Sequence, residues 1–200
     1  LSNLRYLDLK YTKARNLSHL ENLNLYMLDL SHSQADDFNF LWKIKSLRSL
    51  HLQNTHIIDV GFLANLKELR KLDLSNNLIK DITSLEHLSR LEWLRINDTI
   101  IADFKPLRYL INLRVLDLSY TYDDPHKLAH LSKLLRLRAL YLVNCYVHDW
   151  SFAQELSIQI LDLTKAKIVA LSEKIKNVPD LRLCQTISTP SKSANISFKI

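Results

Sequence analysis

The chain has 200 residues, with 27 Lys plus Arg against 21 Asp plus Glu, so its formal net charge is +6. One glycine, Gly61, and four prolines provide neither a flexible linker nor a glycine-rich loop, which excludes P-loop and dinucleotide-binding chemistry. The apolar share of 47% is ordinary for a globular protein, and no apolar run approaches the ~18 residues of a membrane-crossing helix.

From the N-terminus, the first landmark is Leu4-Leu7-Leu9, and the same unit then opens at Leu25, Leu47, Leu69, Leu91 and Leu113 in steps of 22 residues. It continues at Leu137 and Ile158, with a degenerate start at Val178. A fixed period of this length predicts a solenoid, because no such repeat can bury its apolar face alone. Leu1 already continues a repeat phase, so the array is expected to be truncated within a repeat at its N-terminus.

Within each unit, the L-x-L alternation has the two-residue period of a strand with one buried side. Each repeat therefore gives one short strand, and stacked repeats give a parallel sheet. The ninth position reads Thr12, Ser33, Thr55, Asn77, Thr99, Thr121, Cys145, Ala166 and Thr186. Small polar side chains there can satisfy backbone groups that turn inward after the strand. Apolar pairs such as Ile57/Val60 and Ile79/Ile82 follow, with Asp37, Asp59, Asp81, Asp103 and Asp149 placed to cap a short turn. Twenty-two residues leave little room for a full helix, so short 3-10 segments are expected on the outer side.

The sixth repeat carries two extra residues. Its segment D-D-P-H-K-L-A-H-L-S-K-L-L, 123–135, has Asp before Pro and then leucines, which predicts a capped α-helix. After Thr186 the period is lost, and 188–200 is expected to be a closing cap strand or a disordered tail.

The stretch L-R-K-L-D-L-S-N-N-L-I-K-D-I-T-S-L-E-H-L, 69–88, resembles the leucine-rich-repeat family in its 22-residue class. I-A-D-F-K-P-L-R-Y-L, 101–110, is similar to the half-repeat of bacterial internalins, and related units occur in phosphatase-regulating proteins. The resemblance covers 1–187 and implies an α/β horseshoe of eight to nine repeats. A curved parallel sheet would line its concave face and short 3-10 turns its convex face. It further implies a non-catalytic scaffold that recognises another protein, although the fold itself does not select a partner.

With the strand leucines inward, positions three, five and seven face the open side. Position five reads Asp8, Asp29, His51, Asp73, Arg95, Asp117, Tyr141, Asp162 and Arg182. This alternation either keeps like charges apart or forms a polar recognition strip, with His51 flanked by two carboxylates. Trp93, Tyr120 and Tyr141 beside Arg95 have the composition of an interaction hot spot. The candidate contact set is Tyr6, His51, Lys71, Asp73, Trp93, Arg95, Asp117, Tyr120 and Tyr141. Arg5, Arg48, Arg70, Arg90, Arg114 and Arg138 form a basic rim, which offers nucleic acid or anionic membrane as the rival partner.

Chemistry of other kinds has little support. His126 and His130 near Asp123 and Asp124 lack the glutamate and third ligand of a zinc site, and Cys145 of C-x-x-H occupies an inward position. No catalytic residue, metal, cofactor or small-molecule substrate is therefore expected, and a monomer is. A further alternative makes the segment the sensor or targeting arm of a larger enzyme. Two unpaired cysteines, Cys145 and Cys184, favour a reducing cytoplasm, while the internalin resemblance favours bacterial surface display.

Overall fold

The computed structural model describes residues 3–121 and 125–183. Each L-x-L core forms a strand: β1 (Tyr6–Asp8), β2 (Met27–Asp29), β3 (Ser49–His51), β4 (Lys71–Asp73), β5 (Trp93–Arg95), β6 (Val115–Asp117) and β7 (Ala139–Tyr141). These are followed by β8 (Tyr146–Val147), β9 (Ile160–Leu163), β10 (Lys167–Ile168) and β11 (Asp180–Leu183). Among the described residues, nine strands form one parallel sheet in chain order, while β8 and β10 pair separately.

Register follows the sequence period. Leu28, Leu50, Leu72, Leu94, Leu116, Leu140 and Leu161 lie opposite one another across β2 to β9, and all are fully buried. A slip of one residue would turn that row out to solvent, so leucine burial itself fixes the register. The ladder runs past the strand ends. The Leu74 amide donates to the Arg95 carbonyl at 2.9 Å, and the Asn76 amide donates to the Asn97 carbonyl at 2.9 Å.

The second of these bonds depends on an unusual backbone. Position eight is left-handed in every repeat described: Tyr11, His32, Asn54, Asn76, Asp98, Tyr120, Asn144 and Lys165 have φ between 52° and 60°. This conformation costs an L-residue roughly 1–2 kcal/mol, and the chain places no glycine there. The inter-repeat hydrogen bond that each amide from Tyr11 to Asn144 donates, at 2.8–3.0 Å, offsets the strain. Recurring Asn or Asp at residues 54, 76, 98 and 144 was the sequence signal for it.

The ninth position acts as expected. The hydroxyls of Thr12, Thr55, Thr99 and Thr121 donate to the carbonyl three residues back at 2.5–2.9 Å. Asn77 does more and joins two repeats. Its Nδ2 donates to the carbonyls of Leu52, Leu74 and Ser75, and its Oδ1 accepts from the amides of Thr55 and Ile57.

Short 3-10 turns form the opposite side, including Asn39–Lys43, Gly61–Asn65, Thr83–His87 and Lys105–Tyr109. The carboxylates of Asp37, Asp59, Asp81, Asp103 and Asp149 accept from the amide two residues on at 2.7–2.8 Å. They stand one residue before the turn's cap position, so they act as Asx-turns rather than as N-caps.

The expected α-helix of the sixth repeat is instead a 3-10 helix, Pro125–Lys133. The reason lies in its leucines: Leu128, Leu131 and Leu134 are buried and three residues apart, the period of a 3-10 helix and not of an α-helix. A single α-helical turn, α1 (Glu173–Lys176), closes the last described repeat, with the Ser172 hydroxyl accepting from the Ile175 amide. Asp123, Asp124, Cys184 and the 188–200 cap expectation lie outside the described residues.

One packing row is interrupted. Position eleven holds buried Ile57, Ile79, Ile101, Val147 and Ile168, but Ala14 and Ala35 in the first two repeats. Beside Ala35 a cleft of about 770 Å³ opens between the loops of the second and third repeats, bordered by Phe38, Phe62 and the buried Ser33. The Ser33 hydroxyl has no hydrogen-bond partner among the described residues.

Three outcomes follow from this packing. Asn77→Ala should cost about 2 kcal/mol in urea unfolding, because it orphans buried backbone groups in two repeats; Asn77→Thr should cost less. Ala35→Ile should supply the side chain that Ile57 and Ile79 provide in the next repeats and raise stability by about 0.5–2 kcal/mol; a lower melting temperature would mean the cleft wall cannot yield. The Asp81 carboxyl is held below the usual carboxylate range, first by the Thr83 hydroxyl and then by the Thr83 amide. A group lowered by folding adds stability above its unfolded pKa of about 4 and loses it as pH falls through the folded value. Thr83→Ala should therefore raise the Asp81 pKa in a carbon-13 NMR titration, and an unmoved titration would refute this cause.

Candidate recognition surface

Two side-chain rows define the open face of the sheet. Position three presents Tyr6, Met27, Ser49, Lys71, Trp93, Val115, Ala139, Ile160 and Asp180 in register. Position five presents Asp8, Asp29, His51, Asp73, Arg95, Asp117, Tyr141, Asp162 and Arg182.

Each aspartate of the second row does two things. One oxygen accepts a backbone amide two residues on: Asp8 from Lys10, Asp29 from Ser31, Asp73 from Ser75, Asp117 from Ser119 and Asp162 from Thr164, at 2.9–3.0 Å. The other faces a cation. Lys10 serves Asp8 and Asp29 at 3.7 and 3.6 Å, and Arg95 serves Asp73 and Asp117 at 3.6 and 3.3 Å. Arg182 serves Asp162 at 3.8 Å. Every carboxylate of the row is thus fixed to the backbone and faces a cation, although three cations against five carboxylates leave the row net negative.

Trp93 stands at the middle of the sheet, partly exposed. The Arg95 guanidinium lies 5.9 Å from its ring centroid, and the His51 ring centroid lies 6.3 Å from it in a tilted arrangement. His51 does not bridge Asp29 and Asp73. Its Nε2 pairs with the Ser49 hydroxyl at 2.9 Å, because the two carboxylates are already engaged by Lys10 and Arg95. Lys71 is exposed beside Trp93, and Tyr141 lies between Asp117 and Asp162. Asp73 is 4% exposed and presents almost no surface.

The remaining two residues lie apart. Tyr6 is exposed on β1, at the far end of the sheet. Tyr120 lies at the loop edge in its left-handed position, and it lines a recess of about 310 Å³ with Leu78, Ile100 and Asp98. Leu78 and Ile100 are 56% and 41% exposed. Sequence reasoning passed over both, although they are apolar at a slot that Lys13, Gln34, His56 and Lys167 fill elsewhere.

The basic rim divides into three parts. Arg5 and Arg48 stack on Tyr26, at 5.5 and 4.7 Å from its centroid. Arg70 pairs with Glu92 at 2.7 Å, Arg114 approaches Glu92 at 4.0 Å, and Arg90 pairs with Glu68. Arg138 donates to the carbonyls of Leu135, Leu137 and Ser157. Among the described residues, no cluster of three or more His, Cys, Asp or Glu could hold a metal, and no helix is long and apolar enough to cross a membrane. Cys145 is buried, with its Sγ 3.3 Å from the Leu118 carbonyl.

Comparison with known proteins agrees with this geometry. The sequence model described as "Leucine Rich repeats (2 copies)" matches residues 45–87. Internalin C2 of Listeria monocytogenes is 31% identical; the match covers 82% of this chain and 72% of that one, with a TM-score of 0.75. A second internalin of that organism, InlF, is 25% identical over 86% of this chain and 49% of its own, with a TM-score of 0.72. A leucine-rich-repeat protein of Leptospira interrogans is similar in fold, with 21% identity over 94% of this chain and 56% of that one and a TM-score of 0.74. The chain thus spans about half the length of these last two. A search of curated proteins gives no match. Proteins with this repeat commonly serve as interaction scaffolds and are generally non-catalytic. Strand register, 3-10 turns and the 31% identity lead to one assignment: the chain belongs to the leucine-rich-repeat family, and its repeats are internalin-like.

Proposed function

We propose that this chain is a non-catalytic recognition module that binds another protein on the open face of its sheet. The observation that carries this reading is the fixed presentation of Trp93. A large ring is left partly open at mid-sheet, with Arg95 and His51 beside it and Arg95 itself held between Asp73 and Asp117. Such a side chain has little freedom left to lose on association, so most of its contact energy is retained. Tryptophan and arginine in this setting are typical hot-spot residues.

Contact would centre on Trp93, Lys71, Arg95 and Tyr141. His51, Asp73 and Asp117 would act by positioning them, Tyr120 would meet the partner at the loop edge, and Tyr6 would extend the contact along the array. The rim is the weaker reading as a general electrostatic surface, because Arg5 and Arg48 stack on Tyr26, Arg138 bonds backbone carbonyls, and Glu68 and Glu92 offset part of the remaining charge.

The test is affinity capture with the immobilised chain, followed by calorimetry with each protein identified. Replacing both Trp93 and Tyr141 by Ala should weaken that complex by about 2 kcal/mol or more, roughly thirtyfold. A loss under ~0.5 kcal/mol in a variant with unchanged melting temperature would place the contact elsewhere.

A further inference from the structure

Four arginines converge at the strand-entry edge of the sheet, away from the face considered above. Arg70 and Arg114 precede β4 and β6, while Arg90 and Arg136 stand just before the buried Leu91 and Leu137. With Glu92 and Asn112 they line a notch of about 440 Å³. Every lining residue is polar or charged.

The notch carries more positive than negative charge. Glu92 is its one lining carboxylate, held at 2.7 Å by Arg70 and only at 4.0 Å by Arg114. Glu68 draws on Arg90 from beside the notch, and Arg136 donates to the uncharged Asn112 amide oxygen at 2.6 Å. The side chains of Arg70, Arg90 and Arg114 are 54%, 56% and 63% exposed, so their donor forks remain open to solvent.

The same rim supplies its own contrast. At Arg5, Tyr26 and Arg48 the identical row position is filled by an aromatic ring on which both guanidiniums stack. The slots before Leu25 and Leu47 there are Asn24 and Ser46, so no second arginine row exists to close a notch.

We propose that the Arg70–Arg90–Arg114–Arg136 notch is a binding site for a compact, doubly charged oxyanion, a phosphate or sulfate group. Planar guanidinium forks match the oxygens of such groups in pairs, and the rigid sheet holds the forks in place before binding. Glu92 is then the internal occupant: the incoming anion takes over Arg114 and competes with Glu92 for Arg70. An anion also relieves the mutual repulsion of neighbouring guanidiniums, which one carboxylate does only in part. This site is independent of the sheet-face reading and stands whether or not Trp93 contacts a partner.

The experiment is titration of the whole chain with inorganic phosphate, and separately with sulfate, at constant ionic strength. Arginine side-chain NMR signals and calorimetry are the readouts. Saturable one-to-one binding in the millimolar range is expected, weakened about tenfold or more when Arg90 and Arg114 are both replaced by Gln. Glu92→Gln should tighten it several-fold. Glu21→Gln makes the same charge change at a distant pair with Lys43 and should leave it unaltered, as should Arg48→Gln. Equal weakening by Arg48→Gln, or equal tightening by Glu21→Gln, would overturn the site in favour of a diffuse field. So would binding to phosphatidylserine vesicles without any response to inorganic phosphate, which would make this edge a membrane-facing surface. Absence of saturation up to ~50 mM phosphate at constant salt would also refute it.

Discussion

In-register stacking of one repeat on the next is the interaction from which everything else follows. A strand of three residues cannot satisfy its own backbone, so its amides and carbonyls must go to its neighbours. The buried leucine row and the amide ladder impose the same offset, and neither alone would hold so short a strand. Position eight extends that ladder around a corner. Its left-handed backbone would be unfavourable in isolation, and it persists because each amide there from Tyr11 to Asn144 reaches a carbonyl of the next repeat.

Stacking also turns a list of residues into rows. Once repeats are aligned, side chains 22 residues apart become neighbours, and their charges must be reconciled at sheet spacing. On the open face every aspartate of the row is engaged: five bind backbone amides and share three cations. What remains available there is Trp93 above all, with Lys71 beside it. On the rim it is incomplete, since Glu92 and Glu68 stand against a larger number of arginines. One surface is thus suited to close packing against another protein, and the other to an anion.

Irregular repeats show how far the frame tolerates variation. The sixth repeat absorbs two added residues by lengthening a 3-10 helix, which keeps Leu128, Leu131 and Leu134 on one side. In the second repeat, Ala35 stands where the third, fourth and fifth repeats carry isoleucine, and the frame stays in register beside the cleft. Backbone pairing dominates in both cases, because the neighbouring repeats fix the chain at both ends of the loop.

From the sequence alone, the fold was determined almost completely. Leucines at 22-residue intervals prescribe strand, register and buried face together, and the recurring Asp marks where most of the outer turns begin. The surface was determined less well, because a row position says which side chains are adjacent but not which of them pair. Only the tertiary structure decided that Asp73 is buried against Ser75 and Arg95, and that His51 turns to Trp93 rather than to two carboxylates. It alone also set Tyr120 at the loop edge and showed which rim arginines pair with Glu68 and Glu92 and which stack on Tyr26. Periodicity is a property of the chain, whereas pairing is a competition among neighbours for the same partner, settled only when all of them are in place.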